Sequence, residues 1–448
     1  MALKIEDIRL ITGSDLVSFP SLENPEPEMV PLVQDEDISV FNNVPSKPKY
    51  LKEFKYEEIG EGSFIFNADC YEVLKSLPDT SISAVLVDPP YEILGNFQSW
   101  DAEVPSVKIW KEVYRVLKPG SHILSFGATR TYHKMASNIE DAGFIIKDTI
   151  SWIYGSGFPK SHKVGREILE NEDGDLQNFD FGTALKPAVE LITLGFKQVD
   201  QLNNIENFNK WGTGGLNIDA ARIPIIDKES YEANMNGNQR TLKPEGTKLG
   251  VLNGGWKVDK SQKEAPQGRW PANVIFDEEA GKTLDHMANK KQKKNFIGPS
   301  RFFYCPKPSK KEKELGLDDF EEKTWRSEKG GGRDINARCG NCGKKFIGDQ
   351  KYICHCENPV TDNMVFSLKN NHASVKPIDL LNYLLTLIVG KKDDALVLDM
   401  YFGSGSLGVS AVESGIPFVG IELDEQYYNI AVARCKAAVE RTKNKTKE

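Results

Sequence analysis

Two stretches of this sequence carry residues whose types and spacing could do chemistry. The first is Asp88-Pro89-Pro90-Tyr91, which ends the apolar run Ala84–Val87. The run reads as a buried strand. Pro89 and Pro90 have no backbone donor and cannot continue a central strand. The strand therefore stops abruptly, with a carboxylate and an aromatic ring held in a stiff, extended turn. A lone strand-terminal Asp is more often a cap or a turn former. A rigid carboxylate beside a ring at the carboxyl end of a buried strand raises the alternative of a substrate contact.

The second stretch lies near the other end of the sequence. The run ALVLD ends at Asp399, and Phe402-Gly403-Ser404-Gly405 follows and opens a helical pattern. That pattern stops near Gly415, and a further strand-like run ends at Glu422. This is the layout of a nucleotide-binding βαβ unit. Glycines allow the tight turn, and an acid at the tip of the next strand grips ribose hydroxyls. The loop lacks the three-glycine dinucleotide spacing and the lysine of a phosphate-binding loop. A cofactor without phosphates fits better. S-adenosylmethionine, with adenine, ribose, a sulfonium and an amino acid end, is such a cofactor.

Cysteines supply a third signal. Four of the seven crowd together as Cys339, Cys342, Cys354 and Cys356. The first pair has zinc-knuckle spacing, and the second is C-x-C. Four thiolates make a closed tetrahedron suited to a structural zinc, not a catalytic one. His355 is read as a bystander. A basic run completes the set: from Asn289 to Glu314 there are nine Lys or Arg against two Glu, with Phe296, Phe302, Phe303 and Tyr304 interleaved. Aromatics among basic residues move such a run toward nucleic acid.

The elements that must hold these residues alternate. From Ser63 the strand-like runs SFIFNAD, AVLVD, HILSFG, FIIKDTISWIY and AVELITLGF interleave with the helical YEVLKSLP, VKIWKEVYRVL and YHKMASNIEDAG. Lys118-Pro119-Gly120 is expected to close the second of those helices. KPIDLLNYLLTLIV, a helix, precedes ALVLD. Alternation of this kind implies a mostly parallel α/β sheet. Five regions follow: an extended arm at 1–55, a first catalytic half at 56–199, a loop-rich insert at 200–335, a zinc ribbon at 336–358, and a cofactor-binding half at 359–448. The insert holds isolated strand-like pieces such as RWPANVIFD.

Composition is that of an ordinary globular protein, with 39% apolar and 27% charged residues. A chain of 448 residues suffices for two or three domains. No apolar run approaches the ~18 residues of a membrane helix. The opening MALKIEDIRL is not a signal peptide, which predicts a cytoplasmic protein. A net charge of −8 excludes a uniformly basic nucleic-acid binder.

DPPY after one strand and D-x-x-F-G-S-G after another resemble the amino-methyltransferases that act on the exocyclic amine of adenine or cytosine in DNA. NADC at 67–70, HASVKPIDLL at 372–381, TGGLNIDAARI and GRWPANVIFD add to the resemblance. DPPY lies N-terminal to FGSG, as in the beta class of phage and prophage type. The resemblance implies a Rossmann-like methyltransferase fold with circularly permuted motif order and an inserted target-recognition region. It implies that Asp88 and the Pro89 carbonyl accept hydrogen bonds from the amine of a flipped base, and that Tyr91 stacks on that base. It implies that Asp399 and Phe402–Gly405 meet the amino acid end and sulfonium of S-adenosylmethionine. Glu422 would take the ribose, Asp69 the adenine amine and Lys376 the carboxylate. The expected partner is double-stranded DNA, with no membrane. The restriction partner is unknown, and a homodimer is common in the resembling class. Adenine is favoured over the cytosine amine because the first motif residue is Asp. A catalytically silent DNA-binding regulator is the rival of a different class.

Overall fold

The computed structural model describes residues 54–60, 62–93, 101–155, 157, 182–225, 268–289, 298–304, 314–317, 320, 323–327, 364–370, 372, 375–391 and 395–445. The four ribbon cysteines, most of the basic run and nearly all of the 1–55 arm lie outside these residues.

Strands β1 (Lys55–Glu58), β2 (Phe64–Asn67), β3 (Ile82–Val87), β4 (Leu117–Ala128), β5 (Ile145–Ile153), β6 (Val189–Phe196) and β7 (Val274–Phe276) come first in the chain. After them come β8 (Lys323–Ser327), β9 (Met364–Leu368), β10 (Val397–Asp399) and β11 (Phe418–Glu422). Nine of these form one sheet in the order β1-β2-β11-β10-β3-β4-β6-β5-β7. The block from β2 to β4 is parallel throughout. β6 runs antiparallel between β4 and β5, and β1 is an antiparallel edge. The mostly parallel sheet expected from the alternating pattern is present. β7 adds to β5 in parallel, so the RWPANVIFD piece completes the main sheet and does not stand in a body of its own.

Helices cover both faces. On one side α1 (Cys70–Ser76), α2 (Val107–Val116) and α3 (Tyr132–Asp141) pack Val73, Leu74, Trp110, Val113, Met135 and Ile139 against Val85, Val87 and Leu398. On the other, α6 (Ile378–Ile388), α7 (Ser406–Ser414) and α8 (Glu425–Lys445) pack against Ala84, Leu86 and Val397. Alternate residues of β3 thus feed two cores, and every residue of the strand is buried. That is why it reads as an unbroken apolar run. Two further helices, α4 (Asn204–Trp211) and α5 (Glu278–Ala288), follow β6 and β7 in the chain.

α2 ends at Val116, directly before Lys118-Pro119-Gly120 as expected, and those three residues already belong to β4. The ladder to β3 shifts register there, between the Ile82–Leu117 and Ala84–His122 pairs. Proline fits because it sits at the irregular start of the strand, where a ladder donor is dispensable.

The chain order creates a switch point. β10 continues through α7 to β11 on one side, and β3 continues through α2 to β4 on the other. β10 and β3 are themselves paired, Val397 with Ala84 and Leu398 with Val85. In open α/β sheets, ligands bind outside the carboxyl ends of the strands at such a point. Among the described residues no helix is long and apolar enough to cross a membrane.

Candidate active site

Asp88 and Asp399 both emerge at the carboxyl edge of the switch point, one from each neighbouring strand. They line one cleft of about 1960 Å³, together with Asp69, Pro89, Pro90, Tyr91, Lys376, Phe402, Gly403, Ser404 and Glu422. All the residues expected on the cofactor or base side border this cleft except Gly405, the last residue of the loop. The space exceeds the usual range for one small ligand, roughly 300–1,000 Å³.

The DPPY turn is held from two sides. Asp101, 2% exposed, accepts from the amides of Tyr91 at 2.6 Å, Glu92 at 3.0 Å and Ile93 at 2.9 Å. Thr131, at the start of α3, donates its hydroxyl to the Tyr91 carbonyl at 2.5 Å. Glu92 takes a positive φ of 59° within this clamp. The strand-end carboxylate is no helix cap. That role falls to Asp69, whose Oδ1 accepts from Tyr71 and Glu72 at the start of α1.

Asp88 sits in a cluster of four polar side chains. Its Oδ1 accepts from the Tyr91 hydroxyl, and its Oδ2 accepts from Lys376 Nζ at 2.6 Å. The same ammonium lies 3.3 Å from Glu190 Oε2, and the Tyr91 hydroxyl is 3.2 Å from that oxygen. Lys376 therefore serves Asp88, where a contact to the cofactor carboxylate was expected. Its position follows from α6, which is buried all round through Ile378, Leu380, Leu381, Leu384, Leu385, Leu387 and Ile388. Each such side chain contributes about 1.5–3 kcal/mol of burial, which pins the helix start against the sheet. Burial opposes the lysine charge, but Asp88 and Glu190 more than offset it and hold the ammonium above its usual range. Burial, with Asp88 and Glu190 adding to it, pushes the Tyr91 phenol well up. The Tyr91 hydroxyl is thus tied to Asp88 and Glu190, and the residue lines the cleft. Trp152 is core, 9% exposed, and Tyr154 beside it is cleft wall.

The glycine loop has the conformation its residues require. Gly403 and Gly405 have φ of 52° and 77°, a region that costs side-chain-bearing residues energy. A Cβ on Gly403 would lie 2.7 Å from His372 Nε2, and one on Gly405 2.9 Å from the Ala431 Cβ of α8. Phe402 turns inward and stacks on Phe418. Beneath the loop the fully buried Arg434 donates to the Ser404 carbonyl, and Asn370 reaches Ser404 Oγ at 3.3 Å.

Two acids face the cleft from this half. Glu422 accepts from the Gly403 amide at 2.7 Å and from the Asp424 amide at 2.8 Å. Burial still raises it to about 7. Asp399 accepts from the Tyr401 amide at 3.0 Å. Burial first, then Asp88 and Glu422, push it well above the usual carboxylate range. The loop itself carries no lysine or arginine, and the nearby Arg434 donates to Ser404. The donor set suits a ligand bearing hydroxyls and an ammonium, which is what a nucleoside linked to an amino acid brings.

Asp101 and Glu190 were not singled out from the sequence. Asp101 stands in a loop without periodicity. Glu190 falls inside an apolar strand pattern that signals only structure.

An acidic turn and a glycine loop meeting at the switch point of a three-layer α/β sheet define a ligand-transforming site of nucleotide type. Residues 82–433, from the start of β3 into α8, match the N6_N4_Mtase family, described as DNA methylase. The chain belongs to that family. Among curated proteins it is similar to the type II methyltransferase M.HinfI of Haemophilus influenzae, 32% identical over 127 residues, which is 24% of this chain and 35% of that protein. It is also similar to the putative methylase YubD of Escherichia coli, 37% identical over 87 residues, 19% of this chain and 37% of that protein. The matched part thus spans little more than a third of either relative. A solved structure with a likeness is the PvuII DNA methyltransferase (cytosine-N4-specific), 12% identical, TM-score 0.41, covering 86% of this chain and 93% of that one.

The clamp on the DPPY turn is testable. Asp101→Ala strands three amides and should lower stability by on the order of 2–4 kcal/mol in chemical denaturation. Hydrogen exchange at Tyr91, Glu92 and Ile93 should accelerate selectively; protection equal to wild type would show that the turn stands without Asp101.

Proposed function

We propose that this protein is a DNA methyltransferase that moves a methyl group from S-adenosylmethionine to the exocyclic N6 amine of adenine in double-stranded DNA. The observation that carries the reading is the shared cleft: the Asp88 turn and the Asp399–Glu422 acids open into one space large enough for a flipped base and a cofactor together. Base flipping brings an otherwise stacked amine into such a pocket.

The cofactor, when bound, supplies an electrophilic methyl on a sulfonium. Glu422 would hold its ribose hydroxyls, and Asp399 with the Phe402–Gly405 loop would hold its amino acid end. Asp69, with one oxygen committed to the α1 cap, borders the place for its adenine. On the substrate side, Asp88 and the Pro89 carbonyl would accept hydrogen bonds from the base amine. A nucleobase amine is a poor nucleophile because its lone pair is delocalised into the ring. Holding it in line with the methyl, next to negative charge where nitrogen becomes positive, is the help it needs. Transfer would leave a surplus proton on the base nitrogen, and the Asp88 carboxylate within hydrogen-bond reach would take it up and pass it to water. Asp88 need not be a strong base for this. Tyr91 would exchange its bond to Asp88 for a face against the base.

Adenine is favoured because Asp occupies the first motif position. Expression in a methylation-free host, followed by sequencing that detects modified bases, should show N6-methyladenine at one short sequence. Asp88→Ala should abolish the mark while cofactor binding persists. N4-methylcytosine would reassign the base, and an unmodified genome would leave a DNA-binding regulator.

Glu422 gives the cofactor side a pH signature. Hydroxyl donors favour the ionised carboxylate, so an acid at about 7 in the free protein must lose its proton to bind them. Affinity measured by calorimetry should tighten as pH rises from about 6 to 8. Glu422→Gln should flatten that rise and weaken binding by about 1.5–3 kcal/mol. A flat wild-type profile would remove Glu422 from the site.

The same reading includes a structural zinc on Cys339, Cys342, Cys354 and Cys356. Support comes from the four-thiolate donor set and from the β8–β9 ladder, whose Ser327–Met364 pair sets the two ends of the cysteine-bearing segment opposite each other. Elemental analysis should find about one zinc per chain, lost in the Cys339→Ser/Cys342→Ser variant. Metal-free wild type of full stability would refute it.

A further inference from the structure

The transfer step accounts for Asp88 but not for Glu190, which occupies the second residue of β6 with its carboxylate 20% exposed. Lys376, 7% exposed, lies between it and Asp88, at 3.3 Å and 2.6 Å. The ammonium also stands 4.9 Å from the centre of the Phe126 ring and 5.5 Å from that of Tyr91. Around this group face Tyr91 from the turn, Tyr154 after β5 and Asp399 from β10. A buried ammonium with one partner loses its compensation whenever that partner turns away, and an uncompensated buried charge is strongly destabilising. Asp88 is asked to turn toward an incoming amine.

We propose that Lys376 and Glu190 are positioning residues for Asp88: the ammonium bridges the two carboxylates and fixes Asp88 at the cleft, and Glu190 keeps the ammonium paired while Asp88 engages the base. The bridge deepens the methyl-transfer reading and rests on it. Glu190 also lies within reach of the Tyr91 hydroxyl, at 3.2 Å. It can therefore receive that hydroxyl when the base amine displaces it from Asp88.

The bridge makes a charge-balance claim that a purely cofactor-binding lysine would not. Removing Lys376 leaves two carboxylates facing each other across a buried gap. Removing Glu190 as well takes away that repulsion. The test compares wild type, K376M, E190Q and K376M/E190Q in methyl transfer, in S-adenosylmethionine affinity by calorimetry, and in melting temperature across pH. K376M should slow transfer about 100-fold, the scale of a misplaced reacting group. Its cofactor affinity should stay at the wild-type value. K376M/E190Q should recover roughly tenfold of the lost rate, the scale of coupling between neighbouring groups.

Stability decides the same point without turnover. Carboxylates that repel each other in the folded state hold protons more tightly there than in the unfolded chain. The stability of K376M should therefore be kept at low pH and lost, relative to wild type, as pH rises from about 5 to 8. K376M/E190Q should lack that extra loss. A double variant no better than K376M in both rate and pH-dependent stability overturns the bridge, as does a fall in cofactor affinity matching the fall in rate. A wild type that methylates no DNA would sink the functional reading alone, and the melting series would still decide whether the bridge exists.

Discussion

The pairing of β10 with β3 is the contact on which the rest of the site depends. The ladder pairs Val397 with Ala84 and Leu398 with Val85, and just before it the Ser83 amide donates to the Leu396 carbonyl at 2.8 Å. They set the ends of two distant chain segments side by side. From that register follow the neighbouring positions of Asp88 and Asp399, the common cleft, and the repulsion that adds to burial in raising Asp399 above the usual carboxylate range. A slip by one residue would turn every side chain of β10 to the opposite face. The two separate hydrophobic cores prevent it, since Val397 and Leu398 belong to different ones.

The electrostatics of the cleft divide along the same seam. Beside Asp88 a lysine is buried among carboxylates, which hold its ammonium above the usual range. At the ends of β10 and β11 desolvation raises Asp399 and Glu422, and Lys376 is the last of the influences on Asp399. One half of the cleft pairs its carboxylates with a cation, and the other holds them up by burial. The difference comes from a single side chain, Lys376, placed by an all-round apolar helix.

Much of this was legible in the sequence because backbone chemistry writes itself in residue types. Two prolines end a strand, glycines mark left-handed turns, and continuous apolar runs mark strands buried on both faces. The alternation of β3, β10 and β11 with helices, and the acids at their tips, could be read directly. What escaped were contacts whose partners carry no local pattern. Asp101 clamps a turn ten residues away from within an irregular loop. Glu190 looks like one polar residue in an apolar strand until the sheet brings it to Lys376. Lys376 itself was visible as a candidate, but sequence gives a lysine no direction, and its reach to Asp88 spans 288 positions. Lys118-Pro119-Gly120 was read correctly as a helix stop, but not as the start of β4, because helix and strand follow each other there without a loop.

The interleaved strand order also governs how the protein can come into being. In the finished sheet β2 and β3 are separated by β11 and β10, yet both are made about 300 residues before them. At synthesis rates of roughly 5–20 residues per second, the gap stays open for about 15 to 60 seconds on the ribosome. Through that interval β3, a strand buried along its whole length in the finished fold, has one edge with no neighbour from its own chain. Unpaired apolar edges are where nascent chains associate wrongly. The nascent protein must therefore be sheltered, or held loosely collapsed, until β10 and β11 emerge and close the sheet from the middle.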